Sequence, residues 1–223
     1  MMLNKGMKKT FIFDLDGVIV DTAKYHFVAW QNLAKSIGIQ FTHEDNEQLK
    51  GVSRVRSLEL ILEWGKVQAT QEQKELWLIR KNDEYLSFIE KMDATEVLPG
   101  VEKVLEFLKQ NQQNIVLGSA SKNAKPILEK TNLLHYFDAI VDGNDVTNAK
   151  PDPEVFLQGA KKVNAVATNC IVFEDSVAGI QAANVAQMTS IGIGEVNVLK
   201  EAQFCFQDFT QISEDFLQEL IKK

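Results

Sequence analysis

The chain has little of what would announce a disulfide scaffold, a membrane protein or a nucleic-acid binder. It has two cysteines, Cys170 and Cys205, each in an apolar or aromatic setting. They read as buried free thiols rather than as a disulfide or a cysteine metal site. No apolar run is long enough to span a membrane, and the first nine residues have no apolar signal-peptide core. Met7 offers a second start, which would make residues 1–6 an upstream extension. Positive charge is also short: 24 Lys and Arg against 31 Asp and Glu give a formal net charge of −7. That balance argues against nonspecific nucleic-acid binding, which wants a basic surface. It leaves anionic small molecules open as partners, because a local pocket can be positive on an acidic protein. Repeats and low-complexity segments are absent. We expect a cytoplasmic protein, a monomer, with no nucleic-acid or membrane partner.

What is present is an ordinary globular composition, 45% hydrophobic and 25% charged over 223 residues. That length suits one large domain, or a domain with a smaller insert. The most informative run is Phe11-Ile12-Phe13-Asp14-Leu15-Asp16-Gly17, followed by Asp21 and Thr22. Its apolar start reads as a buried parallel strand. Asp14 and Asp16 would share one direction if the strand continued, and Gly17 lets the backbone turn away sharply. Two anions this close repel, and the usual relief is a cation, a shared proton, or both. A hard divalent ion such as Mg²⁺ fits, because it takes oxygen ligands and leaves room for phosphate and water.

Along the chain, the spacing of Tyr25, Phe27, Trp30, Leu33, Ala34 and Ile37 predicts a helix stopped by Gly38, with further helices over 53–64 and 70–91. Thr70 and Gln73 resemble a capping box. No convincing strand falls between 22 and 93. After Pro99-Gly100, helices over 101–110, 124–131, 153–163 and 177–183 alternate with strands over 115–118, 139–141, 170–173 and 189–193. The alternation predicts an α/β fold, a doubly wound parallel-sheet (Rossmann-like) core with an inserted α-helical cap domain. The core would be 1–20 and 94–223, and the cap 21–93. A hinge is expected where the chain crosses between them.

Four constellations fall at strand ends or in the loops beyond them. Asp14 and Asp16 end the first strand. Ser119 follows the second, where its hydroxyl and the next backbone N–H groups can hold phosphate oxygens. Lys150 lies in the loop Ala149-Lys150-Pro151-Asp152-Pro153 and can neutralise a phosphoryl group and a carboxylate. Glu174 and Asp175 end another strand and, with Asp14, can complete an oxygen cage for Mg²⁺. Each has a plainer reading alone: loop-forming acids, a helix N-cap at Ser119, a solvated Lys150, or acids favouring the next helix N-terminus.

The run Asp14, Asp16, Gly17, Asp21, Thr22 resembles motif one of the haloacid dehalogenase superfamily, DxDGxxxDT, and the other three constellations resemble motifs two to four in order. The resemblance implies that Asp14 is a nucleophile that takes a phosphoryl group and Asp16 a general acid/base. It also implies that Thr22 steers Asp16, that Ser119 and Lys150 hold the phosphoryl group, and that Asp14, the Asp16 carbonyl, Glu174 and Asp175 bind Mg²⁺.

The segments 21–27, 46–54, 80–83 and 119–123 further resemble the β-phosphoglucomutase branch of that superfamily. The branch acts on sugar phosphates and uses β-glucose 1,6-bisphosphate as priming intermediate. It implies that Arg54 holds the distal phosphate, its planar fork suiting a dianion. Ala120, Ser121, Lys122 and Asn123 would add contacts from the core. His26, Trp30, Ser57, Lys81 and Asn82 would orient sugar and cap, and Gly51, Val52 and Ser53 would shape the loop that meets the sugar. Trp30 also reads as cap core, His26 as a structural histidine, and Arg56 as a solvated helix residue. The segment 142–146 carries no evident role, and the tail 195–223 no chemistry beyond aromatics that pack on the sheet. A sugar-phosphate phosphatase of the same superfamily is the nearest alternative, ahead of a noncatalytic sugar-phosphate sensor and a phosphonate hydrolase.

Overall fold

Six short strands make one parallel sheet in the order β3-β2-β1-β4-β5-β6. In this computed structural model, which describes residues 8–222, they are β1 (Thr10–Phe13), β2 (Asn114–Gly118), β3 (Ala139–Val141), β4 (Cys170–Glu174), β5 (Thr189–Ile193) and β6 (Phe204–Phe206). The alternative start at Met7 lies outside the described residues. The central strands β1, β2 and β4 are apolar along their middles, with polar residues only at their ends, because helices cover both faces of the sheet. Side chains of β1 alternate between two cores. Phe11 and Phe13 face a cluster with Leu105, Ile127, Phe173 and Leu217, while Ile12 faces Val116, Phe156 and Ala182 on the other side.

The helices that supply these layers are α5 (Val101–Gln110), α6 (Ala124–Lys130), α7 (Glu154–Lys162), α8 (Val177–Val185) and α9 (Glu214–Lys222). Between β1 and α5 the chain forms only helices among its regular elements, apart from a short 3₁₀ turn: α1 (Ala23–Ser36), α2 (His43–Glu47), α3 (Arg54–Gly65) and α4 (Gln71–Ile89). They bury their own cluster around Trp30, Leu33, Phe41, Leu58, Ile61 and Leu62. The fold is thus the doubly wound parallel core with an inserted helical cap that the alternation of patterns indicated. The two crossings run side by side: the Asp21 amide donates to the Glu96 carbonyl at 2.9 Å and the Leu98 amide to the Ile19 carbonyl at 3.0 Å. We propose a core of 1–20 and 94–223 and a cap of 21–93, with these paired crossings as the hinge.

Local signals account for most element ends. Thr70 and Gln73 form the reciprocal capping box that starts α4. Helix α2, which periodicity does not reveal in five residues, begins on a capping box of Thr42 and Asp45. The tail does more than lay aromatics on the sheet. It contributes the edge strand β6, and the Phe209 ring packs tilted against Phe173 at 5.3 Å and stacks with Phe13 at 6.2 Å. Both cysteines are free, Cys170 buried and Cys205 half-buried. Among the described residues no helix is long and apolar enough to cross a membrane.

Phe209 therefore belongs to the core that positions β1 and β4. Phe209→Ala is expected to cost about 3–5 kcal/mol of unfolding free energy by the loss of a buried aromatic ring, read by urea denaturation. A cost below about 1 kcal/mol would place the tail outside the cooperative core.

Candidate active site

The sheet's carboxyl ends meet the cap over a cavity of about 410 Å³, the usual position of a ligand site in an open parallel sheet. Asp14 leaves β1 with its amide donating to the Phe173 carbonyl at 3.0 Å, so β1 and β4 deliver their terminal acids side by side. Gly17 turns at φ +80°, and a Cβ there would sit 2.3 Å from the Asp175 carboxylate. Glycine is thus required both for the turn and for the approach of Asp175.

Lys150 is buried between two carboxylates, its Nζ 2.5 Å from Asp14 Oδ1 and 2.5 Å from Glu174 Oε1. The second Glu174 oxygen accepts from the Ser176 amide at 2.7 Å and the Ser176 hydroxyl at 2.8 Å. Its folded-back path needs Gly179, where a Cβ would lie 2.0 Å from the Glu174 carboxyl. Ser176 caps α8 and Asn123 precedes α6, so neither Glu174 nor Ser119 serves as an N-cap. Ser119 is buried, and its Oγ accepts from the Ser121 amide at 3.0 Å.

Four acids meet two lysines here. Asp14 is held well above the usual carboxylate range by burial and by Glu174, Asp16 and Asp175, against the opposing pull of Lys150. Asp175 is pushed up to about 7 by burial and Glu174, although Lys50 reaches it from the cap at 3.3 Å. Burial also raises Asp16, whose Oδ1 accepts a hydrogen bond from the Thr22 hydroxyl. Lys150 itself is raised by its two carboxylates against the cost of burial. This donor set is all oxygen and over-supplied with negative charge, which fits a hard divalent cation. Among the described residues no group of three or more His, Cys, Asp or Glu side chains is placed to hold a metal by side chains alone. A cation here needs the Asp16 backbone carbonyl or substrate oxygens beside Asp14 and Asp175, because Glu174 is engaged at both oxygens.

The cap contributes a second charged group. Lys81 is 2% exposed, with its Nζ 4.8 Å from the ring centres of both Trp30 and Tyr85. Burial and Arg54 lower it to about 7. Its Nζ lies 2.9 Å from His26 Nδ1. As the donor to Nδ1, Lys81 leaves the imidazole proton on Nε2, which faces Asp16 Oδ1 at 3.7 Å. His26 is held neutral by burial and by the positive charges of Lys81 and Arg54. Arg54 opens α3 on the cavity wall, half-buried and without an ion pair among the described residues.

The remaining residues singled out from the sequence fall as follows. Gly51, Val52 and Ser53 line the cavity, with Ser53 also accepting the Arg56 amide as the α3 N-cap. A Cβ at Gly51 would meet the Ser176 hydroxyl at 2.5 Å, so cap loop and core touch there. Ala120, Ser121, Lys122 and Asn123 line the core side, and Asn123 donates to Asn82 across the gap at 3.3 Å. Ser57 and Trp30 line the wall while packed in the cap. Thr22 and Glu174 support the site from outside the cavity lining. Arg56 pairs outward with Glu59 and Glu63, as a solvated residue does.

Sequence reasoning gave no individual role to Lys50, Asn46, Tyr85, Gly143 or the stretch from Val146 to Ala149, all of which reach the cavity. Lys50 stood inside a motif-like segment, and Gly143 follows a strand, but neither signal names a partner. Gly143 is needed because a Cβ would sit 2.3 Å from the Ala120 carbonyl oxygen. With it, the loop at 142–146, which the sequence left without a role, braces the loop after β2: the Gly143 amide donates to the Ser121 carbonyl at 3.1 Å.

Lys150→Ala would leave two carboxylates buried without their cation. The expected loss at pH 7.5 is about 3–5 kcal/mol of unfolding free energy. Lys150 is the group that pulls Asp14 down, so without it Asp14 titrates higher still; the variant's folded state binds more protons than the unaltered protein's, and the deficit shrinks as the pH falls toward 5.5. Urea denaturation of the variant at both pH values checks this; a deficit independent of pH would contradict it.

Comparison with known proteins follows the same lines. The family model described as haloacid dehalogenase-like hydrolase matches residues 8–187. The chain is 38% identical over 213 residues to the β-phosphoglucomutase of Bacillus subtilis strain 168, covering 95% of this chain and 94% of that one. It is 30% identical over 194 residues to a phosphorylated carbohydrates phosphatase of Thermotoga maritima, covering 86% and 87%. The crystal structure of a β-phosphoglucomutase from Clostridium difficile superposes with a TM-score of 0.92 at 42% identity, over 97% of this chain and 98% of that one. With the family model spanning most of the chain and the fold matching throughout, the protein belongs to the haloacid dehalogenase-like hydrolase family.

Proposed function

We propose that this protein is a β-phosphoglucomutase, interconverting β-D-glucose 1-phosphate and glucose 6-phosphate through a phosphorylated Asp14 and β-glucose 1,6-bisphosphate. One observation carries the reading: a single cavity has the Asp14–Lys150 pair on its core wall and Arg54, a guanidinium without an ion pair among the described residues, on its cap wall. Two anion-binding ends suit a bisphosphate that turns over between two transfers. The relatives named as β-phosphoglucomutases support it. The protein would work as a cytoplasmic monomer.

Phosphoryl transfer depends mainly on positioning and charge neutralisation. Asp14 attacks phosphorus in line and becomes an aspartyl phosphate. Lys150 and the Ser119 hydroxyl hold the phosphoryl oxygens, and the loop from Ala120 to Asn123 binds at the core edge. Asp16 protonates the departing sugar oxygen, then takes the proton of the next hydroxyl. Thr22 and His26 orient it. Arg54 grips the distal phosphate, so the two ends of the sugar bisphosphate can exchange places. Lys81, Asn82, Trp30, Ser57 and the Gly51–Val52–Ser53 loop shape the sugar site. Mg²⁺ would be held by Asp14, Asp175 and the Asp16 carbonyl with Glu174 behind them, and when bound it supplies positive charge that screens the repulsion between the phosphoryl group and the acids. Closure of the cap around a sugar phosphate keeps water from the aspartyl phosphate.

The second reading is a sugar-phosphate phosphatase, favoured by the 30% identity to a carbohydrate phosphatase. A coupled assay with Mg²⁺, β-glucose 1-phosphate and a trace of the bisphosphate separates the two. Glucose 6-phosphate with little free phosphate is the expected result, and free phosphate in excess would establish the phosphatase.

Asp14→Asn is expected to abolish turnover in that assay. Arg54→Ala should lower turnover of the sugar phosphate at least about 100-fold, the scale of losing a charge-assisted phosphate contact. Phosphorylation by acetyl phosphate should be spared. Equal losses with both donors would remove Arg54 from the distal site. The metal assignment has a test apart from activity. Asp175 titrates near 7 in the folded chain, above its unfolded value, so the folded state binds more protons from about pH 4 to 7. The metal-free protein should therefore lose stability as the pH rises through that window. Mg²⁺ needs the carboxylate, so its stabilisation should grow over the same rise; thermal melts in EDTA and in Mg²⁺ at pH 5.5 and 7.5 read both trends, and a Mg²⁺ effect that falls with pH would contradict the assignment.

A further inference from the structure

Tyr85 has a hydroxyl with no hydrogen-bond partner, the sole buried side-chain polar atom so placed among the described residues. The residue is 1% exposed and sits on α4, in the cap, on the wall of the cavity. Its ring is well packed, with the His26 ring 4.2 Å away and Lys81 Nζ 4.8 Å from its centre. Phenylalanine would pack there equally well, and a buried donor left unbonded costs stability. The hydroxyl therefore calls for a role in another state of the site.

Its surroundings indicate which. The side chains of Asp16, Thr22 and Ser121 lie around it, each close enough to act on its proton, though none is in hydrogen-bond geometry. Asp16 Oδ1 already accepts from Thr22 and faces His26, whereas Oδ2 accepts no hydrogen bond from the described residues. A carboxyl held through one oxygen still rotates about its Cβ–Cγ bond; held through both, its plane is fixed. Burial and the charge of Asp16 keep the Tyr85 proton in place well above the ordinary phenol range, so the hydroxyl remains a donor at working pH.

We infer that Tyr85 is a positioning residue for Asp16: with a sugar phosphate in the cavity, its hydroxyl donates to Asp16 Oδ2 and, with Thr22 on Oδ1, fixes the carboxyl plane for proton transfer. The inference rests on the phosphoryl-transfer reading above. In that step the bond from phosphorus to the sugar oxygen breaks, the bond from Asp14 to phosphorus forms, and the proton on Asp16 passes to the departing sugar oxygen. Thr22 is fixed at the root of the cap, but Tyr85 rides on α4. The second anchor exists only while α4 lies against the core, so Asp16 is fully aligned for a sugar held under the cap and not for water entering an open site.

Tyr85→Phe tests this, compared with the unaltered protein on two donors. With β-glucose 1-phosphate and a trace of β-glucose 1,6-bisphosphate, kcat should fall about 10- to 100-fold, the range of a misaligned general acid/base, while KM changes less than about threefold. Phosphorylation of Asp14 by acetyl phosphate should stay within about twofold, because acetate leaves without a proton. The melting temperature should be unchanged or higher, since the lost hydroxyl bonds nothing. Unchanged kcat, equal losses with both donors, or a melting temperature lowered by several degrees would overturn the inference, the last by making Tyr85 a structural residue. If the unaltered protein neither turns over the sugar phosphate nor takes phosphate from acetyl phosphate, the proposed function itself fails and the inference falls with it.

Discussion

The buried ammonium of Lys150, shared by Asp14 and Glu174, is the interaction on which the site depends. Two carboxylates delivered side by side by adjacent parallel strands cannot stay buried without a cation, because desolvation and mutual repulsion both oppose them. Lysine at one point neutralises one of them, leaving the strand ends still negative once Asp16 and Asp175 are counted. That residual charge suits a hard cation, and on the proposed function the same acids would serve the transfer of a phosphoryl group. Small residues make the arrangement possible: Gly17 admits Asp175 and Gly179 admits Glu174, each at a distance no Cβ allows.

The core alone holds a reactive acid, and the cap decides what reaches it. Cap and core meet through polar contacts, Lys50 on Asp175 and Asn82 with Asn123, through Gly51 against Ser176, and through Ala29, Tyr85, Ile89 and Met92, which pack into the core cluster. The cap keeps its own cluster around Trp30 and Leu58, so its shape does not depend on those contacts. On the function proposed above, placing Arg54, Lys81 and Tyr85 on this unit would couple substrate contact to the alignment of groups on the core. A neutral His26 between Lys81 and Asp16 fits that coupling, since its proton on Nε2 faces the acid.

Strand and helix alternation, the capping box at Thr70 and the acid pairs at strand ends were legible because each is a local pattern with a local cause. Periodicity of two or of 3.6 reflects which face is buried, and strand ends in an open sheet converge. Five-residue α2 was not legible because it is too short to show a period, and β6 was not because it follows β5 with no helix between them, outside the strand–helix alternation. Residues 142–146 gave no sign of their bracing role, because the Ala120 carbonyl they meet is brought there only by the sheet.

The sequence by itself determined the class of the fold, the order of its motifs and the identity of the acids, the lysine and the serine that a phosphoryl group would meet. Tertiary structure alone decided which charges face one another: Lys150 spans 136 positions to reach Asp14, Lys50 crosses from cap to core to reach Asp175, and Tyr85 comes to Asp16 without a bond. The reason is physical. A residue's type and spacing set what it can do, but desolvation and Coulomb interactions depend on separation in space, and separation between distant segments is fixed only when the sheet and the cap have packed.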